Sequence, residues 1–290
     1  MRSKRKGIIL AGGSGTRLHP ITKSISKQLI PIYDKPMIYY PLSTLMMANI
    51  DNVLIISTPE HISLYEALLG NGDNFGMKIE YKIQDRPRGL AEAFIIGEEF
   101  IGNSSVALIL GDNLFYGHNF EKILSSADIS EDQATIFAYR VADPQRFGVI
   151  EFNKNGEALS VQEKPESPKS PYAITGLYFY DNDVIEVAKN ITPSQRGEIE
   201  ITDINNHYLK IKKLRVEVLR KGFAWLDTGT PESLIEASHF IYTLDKIQGV
   251  KILCPEEIAY RNGWIQTEKL IELANLNDSS YSEYLKSLIK

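Results

Sequence analysis

Apolar residues fall along this chain in short unbroken runs more often than in alternation. The β-branched stretches at 8–10, 53–57, 79–83, 106–110 and 135–141 read as strands. Between several of them lie helical patterns. Residues 37–48 and 62–69 form two, and Leu90, Ala93, Phe94, Gly97 and Ile101 recur at helical spacing through 90–100. Continuous runs separated by helices predict parallel strands covered on both faces. In such sheets ligands gather at the carboxyl ends of strands, near a switch in strand order.

The middle of the chain changes character. FGVIEFNKNGEALSVQEKP, residues 147–165, reads as two strands joined around Asn155-Gly156, a hairpin signal. An aromatic strand follows at 174–180, then a helix at 202–212. Beyond Trp225 the pattern turns helical, with starts at Pro231-Glu232 and Pro255-Glu256-Glu257, where proline and acids occupy the first turn. No internal repeat or low-complexity linker interrupts the chain.

Composition narrows the class. The chain has 290 residues, 43% hydrophobic and 24% charged, enough for a sizeable core without staples. A net charge of −5 offers no broad basic field, so nucleic acid is not expected as a partner. No apolar stretch approaches the roughly 18 residues that span a bilayer, so no membrane is expected either. A single cysteine, Cys254, cannot form an internal disulfide, which suits a reducing, cytoplasmic setting.

Candidate chemistry begins at Gly12-Gly13-Ser14-Gly15-Thr16-Arg17, directly after the first predicted strand. Glycines let backbone amides approach phosphate oxygens, and consecutive inward amides form an anion nest. Neither the Walker A ending nor the dinucleotide fingerprint is met, since Leu18 stands where the latter needs glycine. A tight turn without a ligand is the bland alternative. Arg17 and Lys27 could supply the cations that phosphoryl chemistry needs, whereas Lys23 reads as a solvated surface charge. Asp112 and Asp227 each adjoin an apolar run, and two such carboxylates could hold a hard cation such as Mg2+. Glu163-Lys164-Pro165 closes the hairpin's second strand. Gln84 carries an amide suited to a pyrimidine edge. The five histidines show no metal-ligand spacing, and no nucleophile elbow is present.

Taken in order, GIILAGGSGTRL, KQLIPIYDKPMIYYPLSTLM, GLAEAF, LGDN, FGVIEF, EKP, TGLYFYD, RGEIEITDIN, WLDTGTPESL and CPEEIAYR resemble the glucose-1-phosphate thymidylyltransferases of the sugar nucleotidyltransferase family, over about residues 7–265. The resemblance implies an α/β fold: a Rossmann-like, mixed but mostly parallel sheet flanked by helices, with inserted sugar-binding β elements and a helical C-terminal part. It implies a core over 1–230 (nucleotide part about 1–115, sugar part about 116–230) and a helical extension over 231–290 carrying oligomer or regulatory contacts.

By the same resemblance, Leu10, Gly12, Gly13, Gly15, Thr16, Arg17, Lys27, Gln28, Gln84, Gly89 and Asp112 are expected at the nucleotide. Asn113, Gly148, Glu163, Lys164, Ile174, Tyr178, Arg196 and Trp225 are expected at the sugar phosphate, and Asp112 and Asp227 at Mg2+. The family's base-reading loop often runs Gln-Pro-Ser-Pro-Asp-Gly; here it runs Gln84-Asp85-Arg86-Pro87-Arg88-Gly89, with two new arginines. The implied reaction joins dTTP and glucose 1-phosphate into dTDP-glucose with release of pyrophosphate, the first step toward dTDP-deoxysugars such as dTDP-rhamnose. A homotetramer and feedback by a dTDP-sugar near CPEEIAYR are implied as well. UTP as the donor is the nearest alternative. A non-catalytic sugar-nucleotide-binding regulator is the alternative of another class.

Overall fold

The computed structural model describes residues 4–13, 15–128 and 132–289; Ser14 of the glycine loop lies outside them. The chain opens with β1 (Lys6–Leu10), three 3-10 turns, and the short ribbon β2 (Pro31–Ile32) and β3 (Lys35–Pro36). Then come α1 (Tyr39–Met47), β4 (Asn52–Ser57), α2 (Ile62–Leu69) and β5 (Lys78–Ile83). The helical stretch expected at 90–100 is two short helices, α3 (Glu92–Ile96) and α4 (Glu98–Ile101), which part at Gly97. A Cβ on Gly97 would press on Ile8 and Leu54, so the close helix–sheet approach demands glycine there.

β6 (Val106–Leu110) leads into β7 (Asn113–Tyr116) and α5 (Phe120–Asp128). β8 (Ala134–Arg140), β9 (Gly148–Phe152), β10 (Ala158–Glu163) and β11 (Tyr172–Tyr180) follow. The hairpin at Asn155-Gly156 forms, but its loop is longer than a two-residue turn. Asn153 Oδ1 accepts from the amides of Asn155 and Glu157, and Gly156 supplies the positive φ of 82°. α6 (Val184–Lys189), α7 (Ile201–Lys210), β12 (Leu214–Leu219) and β13 (Ala224–Asp227) precede four final helices. These are α8 (Pro231–Gln248), α9 (Pro255–Arg261), α10 (Thr267–Ala274) and α11 (Ser280–Ser287).

A nine-stranded sheet runs β10-β9-β11-β6-β1-β4-β5, with β8 on β11 and β12 on β8. The expected parallel run holds for β6, β1, β4 and β5. The stretch at 135–141 departs from it: as β8 it lies antiparallel to β11 and parallel to β12. Only β10 and β11 run against the rest, so the sheet is mixed but mostly parallel. Alternate residues of β1 enter opposite cores, Ile9 one and Ile8 the other, and Ile55 and Leu54 of β4 repeat the division. Both faces are therefore buried, as the unbroken apolar runs require. The C-terminal helices share these cores: Cys254, Ala259, Leu270 and Leu285 join the face of Ile9, while Leu234, Ala237 and Ile241 of α8 pack with Leu18, Ile32 and Tyr40. No helix among the described residues is long and apolar enough to cross a membrane.

Candidate active site

Three loops leave the carboxyl ends of strands in the parallel run: Ala11–Gly13 after β1, Gln84–Gly89 after β5, and Gly111–Asp112 after β6. Backbone bonds tie them to the sheet, with Ala11 N–H donating to Ile56 O and Gly111 N–H to Leu10 O. Ser57 Oγ donates to Ala11 O from the end of β4. Gln28, nearly inaccessible, props the loop from below. Its Nε2 donates to Gly12 O, while its Oε1 accepts from Ser26 and Tyr65 hydroxyls. Burial pushes the Tyr65 phenol up to about 12, so it stays a neutral donor.

A cavity of about 360 Å³ lies among these loops, walled by Leu10, Gly12, Gly13, Gln28, Gln84 and Gly89. A second, of about 520 Å³, opens between β11, the β9–β10 hairpin and the loop before α7. Arg17, Leu90, Leu110, Asp112 and Glu198 belong to both walls, so the two are lobes of one cleft. All eight residues expected at the sugar phosphate line the larger lobe: Asn113, Gly148, Glu163 and Lys164, with Ile174, Tyr178, Arg196 and Trp225. Gly15, Thr16 and Lys27 do not reach either wall, Lys27 lying behind Asp112. Gly15 carries a φ of 56° at the start of a 3-10 turn, its carbonyl accepting from Thr22, and Thr16 projects outward from that turn.

The two aspartates meet through a two-stranded ribbon. β7 and β13 pair antiparallel with Asp227 opposite Asn113, and Thr228 Oγ1 donates to Asp112 O at 2.9 Å. Lys27, 9% exposed, donates to Asp112 Oδ2. Arg17 reaches the same place, since a Cβ on Gly229 would sit 3.2 Å from Arg17 Nη1 and 3.3 Å from Asp227 Oδ2. Burial, then the charge of Asp112, raises the Asp227 carboxyl above its ordinary range; Lys27, Arg17 and Arg146 work in the opposite direction. Among the described residues no cluster of three or more metal-ligating side chains forms, so the pair stands without a third protein carboxylate, cysteine or histidine.

Polar groups in the larger lobe are held in place. Asn113 Nδ2 donates to Asp112 Oδ1 at 3.0 Å, and its Oδ1 accepts from Gly176 N–H and Trp225 Nε1–H. An irregularity in the β11–β8 pairing between Ile174 and Tyr178 turns the Gly176 amide toward Asn113. Glu163 accepts from Thr202 Oγ1 at 2.7 Å and lies 3.5 Å from Lys164 Nζ and from Arg196 Nη2. Burial, then the charge of Glu163, pushes the Tyr178 phenol far above its ordinary value. Lys164 holds a φ of 40°, a strained setting for a non-glycine residue and one that clusters at functional sites.

Sequence reasoning missed Arg146, Phe147, Gly176, Glu198, Glu200 and Thr202, which also line the larger lobe. The alternation Glu198-Ile199-Glu200-Ile201 carried a signal, because it sets both acids on one side. It missed Glu92 too, although Arg88 four residues earlier marks an ion pair, observed at 2.6 Å.

Comparison with known proteins adds a separate line of observation. The nucleotidyl transferase family model matches residues 6–243. A glucose-1-phosphate thymidylyltransferase of Neisseria meningitidis is 57% identical over 286 residues, covering 98% of this chain and 99% of the relative. A crystal structure from Bacillus anthracis, described as a candidate glucose-1-phosphate thymidylyltransferase in complex with a sucrose, is 40% identical with a TM-score of 0.76, over 81% of this chain and 94% of that one. UDP-glucose pyrophosphorylase complexed with UDP-glucose is 28% identical with a TM-score of 0.73, over 84% of this chain and 99% of that one.

Proposed function

The chain belongs to the nucleotidyl transferase family, and from that premise we infer that it transfers a deoxythymidylyl group from dTTP to α-D-glucose 1-phosphate. The products are dTDP-glucose and pyrophosphate. One observation carries the reading: the two lobes share Arg17 and Asp112 in a common wall, so anions held in each would meet there. The smaller lobe would take the base and triphosphate, the larger the sugar phosphate.

The phosphate oxygen of glucose 1-phosphate attacks the α-phosphorus, and the bond to pyrophosphate breaks in line with it. The nucleophile is already anionic, so no protein base is needed. The protein's work is to hold two repelling anions in register and to offset their repulsion. Arg17 would face the departing pyrophosphate. Lys164 would hold the attacking phosphate, and Glu163 would accept from sugar hydroxyls. Lys27 would set the Asp112 carboxylate through its ion pair.

Asp112 and Asp227 would hold Mg2+. The donor set fits, because magnesium is bound through one or two carboxylates with substrate phosphates and water completing its shell. The raised Asp227 carboxyl is a stress that a cation relieves. When bound, the ion supplies charge neutralisation at phosphate oxygens.

A pyrophosphate-release assay over a matrix of nucleoside triphosphates and sugar 1-phosphates tests the reading. The highest turnover should come from dTTP with glucose 1-phosphate. Binding without release for every pair would leave a non-catalytic regulator instead. UTP as the donor draws support from the likeness to UDP-glucose pyrophosphorylase, and the same matrix separates the two.

Feedback by a dTDP-sugar belongs to the proposal as well. A cavity of about 350 Å³ lies at the CPEEIAYR segment, lined by Tyr116, Ile252, Ile258 and Arg261, whose guanidinium pairs with Glu257 of the same wall. A homotetramer is proposed with it, supported by Ile235 and Tyr242, which α8 leaves exposed. Inhibition kinetics with a dTDP-sugar and sedimentation of the free enzyme test these two points.

A further inference from the structure

Glu92 is a buried carboxylate, 7% exposed, for which the transfer reaction itself has no use. Its Oε2 accepts from Gln84 Nε2 at 2.7 Å, and its Oε1 accepts from Arg88 Nε at 2.6 Å. Gln84 Nε2 also lies 3.4 Å from Gly89 O. A carboxylate and a peptide carbonyl are both acceptors, and a primary amide has two N–H groups. Both hydrogens of Gln84 are thus spent inside the protein, and its Oε1 is turned to the cavity. A Cβ on Gly12 would stand 3.1 Å from that oxygen, which therefore looks across at the glycine loop.

We propose that Glu92 is a specificity-determining positioning residue: through Gln84 it holds an amide oxygen outward, so the smaller lobe accepts bases with an imide N–H and rejects bases with a bare ring nitrogen. The proposal rests on the base occupying the smaller lobe, as read above. Thymine and uracil present N3–H to an oxygen. Cytosine presents a lone pair at N3, and two acceptors then face each other. A site built around a specific hydrogen bond rejects a mismatched analogue by factors of about 10⁴. Arg88 is part of the same device, because its Nε holds the far oxygen of Glu92.

Glu92→Gln tests this with a directional outcome. Arg88 keeps the oxygen of the substituted amide, so the new N–H faces Gln84 and turns that side chain nitrogen-outward. The ratio of kcat/KM for dTTP over dCTP should fall by at least about 100-fold, with the KM for glucose 1-phosphate unchanged. Adding Arg88→Ala lets the substituted amide rotate, and Gly89 O then draws the Gln84 nitrogen back. The ratio should recover at least about tenfold. A merely structural Glu92 would weaken both nucleotides alike, with no recovery on losing Arg88. An unchanged ratio in Glu92→Gln overturns the proposal. So does a parent enzyme that uses dCTP within about tenfold of dTTP, a measurement independent of any variant's folding. Gln84→Ala with an unchanged KM for dTTP would instead remove the base from this lobe, and the lock would fall with that reading.

Discussion

Asn113→Ala removes three hydrogen bonds at one point of the cleft. Asn113 is 2% exposed and links Asp112, Gly176 and Trp225. The bond to Asp112 is the cheapest to lose, since that carboxylate lines both lobes and can be hydrated. The other two are expensive, because Gly176 N–H and Trp225 Nε1–H are left as buried donors at about 1–3 kcal/mol each. Water entering from the larger lobe can reach the vacated space, so the total falls in the lower half of that range, about 2–4 kcal/mol. A chain of this size should then melt about 3–7 °C earlier. Turnover should drop by about 10²-fold as Asp112 loses its orientation. Asn113→Asp gives the contrast. It keeps an oxygen for both donors but sets a second, buried carboxylate against Asp112, which raises the introduced carboxyl in the folded state. Its stability is retained at acid pH and lost as pH rises through the raised value. Thermal melts across pH, paired with initial rates, measure both effects. An alanine variant melting within about 2 °C of the parent would show that water replaces the amide fully, and the reasoning would fail.

Lys164→Ala should lower turnover by about 10²–10³, the scale of one electrostatic stabiliser, while leaving the melting midpoint nearly unchanged because the side chain is half-exposed; steady-state kinetics with a parallel melt check it. Asp227→Asn should abolish activity yet stabilise the fold at neutral pH. The folded-state value of Asp227 is raised above the ordinary 3.8, so its charge costs stability above the raised value, and the variant's advantage should vanish as pH falls to the ordinary value; an advantage independent of pH would contradict the cause assigned here. Gly89→Ala should raise the KM for dTTP and destabilise the protein by at least about 1–3 kcal/mol, since φ is 106° and the new Cβ would collide with Ile199 O; an unaltered urea midpoint would count against it.

Local signals made part of the site legible. The glycine loop and Asp112 each stand directly after a buried strand, and the carboxyl-end rule needs only the strand to locate them. Asp227 was legible as a candidate for its apolar neighbours. Nothing local, however, shows that β13 returns to pair with β7 and sets Asp227 opposite Asn113. Arg146 and Phe147 were illegible for a related reason, since they enter the larger lobe only because the β9–β10 hairpin folds back over it. The reversal of β11 against β6 was hidden too, because 174–180 is buried along its length and carries no alternation to distinguish it. Gln28 was read as a ligand-facing polar side chain. Its bonds to Ser26, Tyr65 and Gly12 O show an amide committed to the scaffold while it also forms cavity wall.

The β7–β13 ribbon explains how a fold tolerates two carboxylates in so little water. Alternation along β13 sends Trp225 and Asp227 to the cavity and Leu226 to the opposite side, where it meets the cluster of Leu114 with Leu234, Ala237 and Ile241 of α8. On β7, Phe115 enters the main core and stacks on Phe120 with centroids 5.6 Å apart, while Trp225 packs on Phe147 at 5.0 Å. The ribbon is thus anchored by apolar contacts on both sides, and the unfavourable proximity of Asp112 and Asp227 is set against burial of several large side chains. A fully buried aromatic or aliphatic side chain contributes about 1.5–3 kcal/mol, so a handful suffices to hold a charged pair that would otherwise spread apart. That balance gives α8 a stake in the site although it touches neither lobe: by backing the ribbon, it keeps Asp227 beside Asp112.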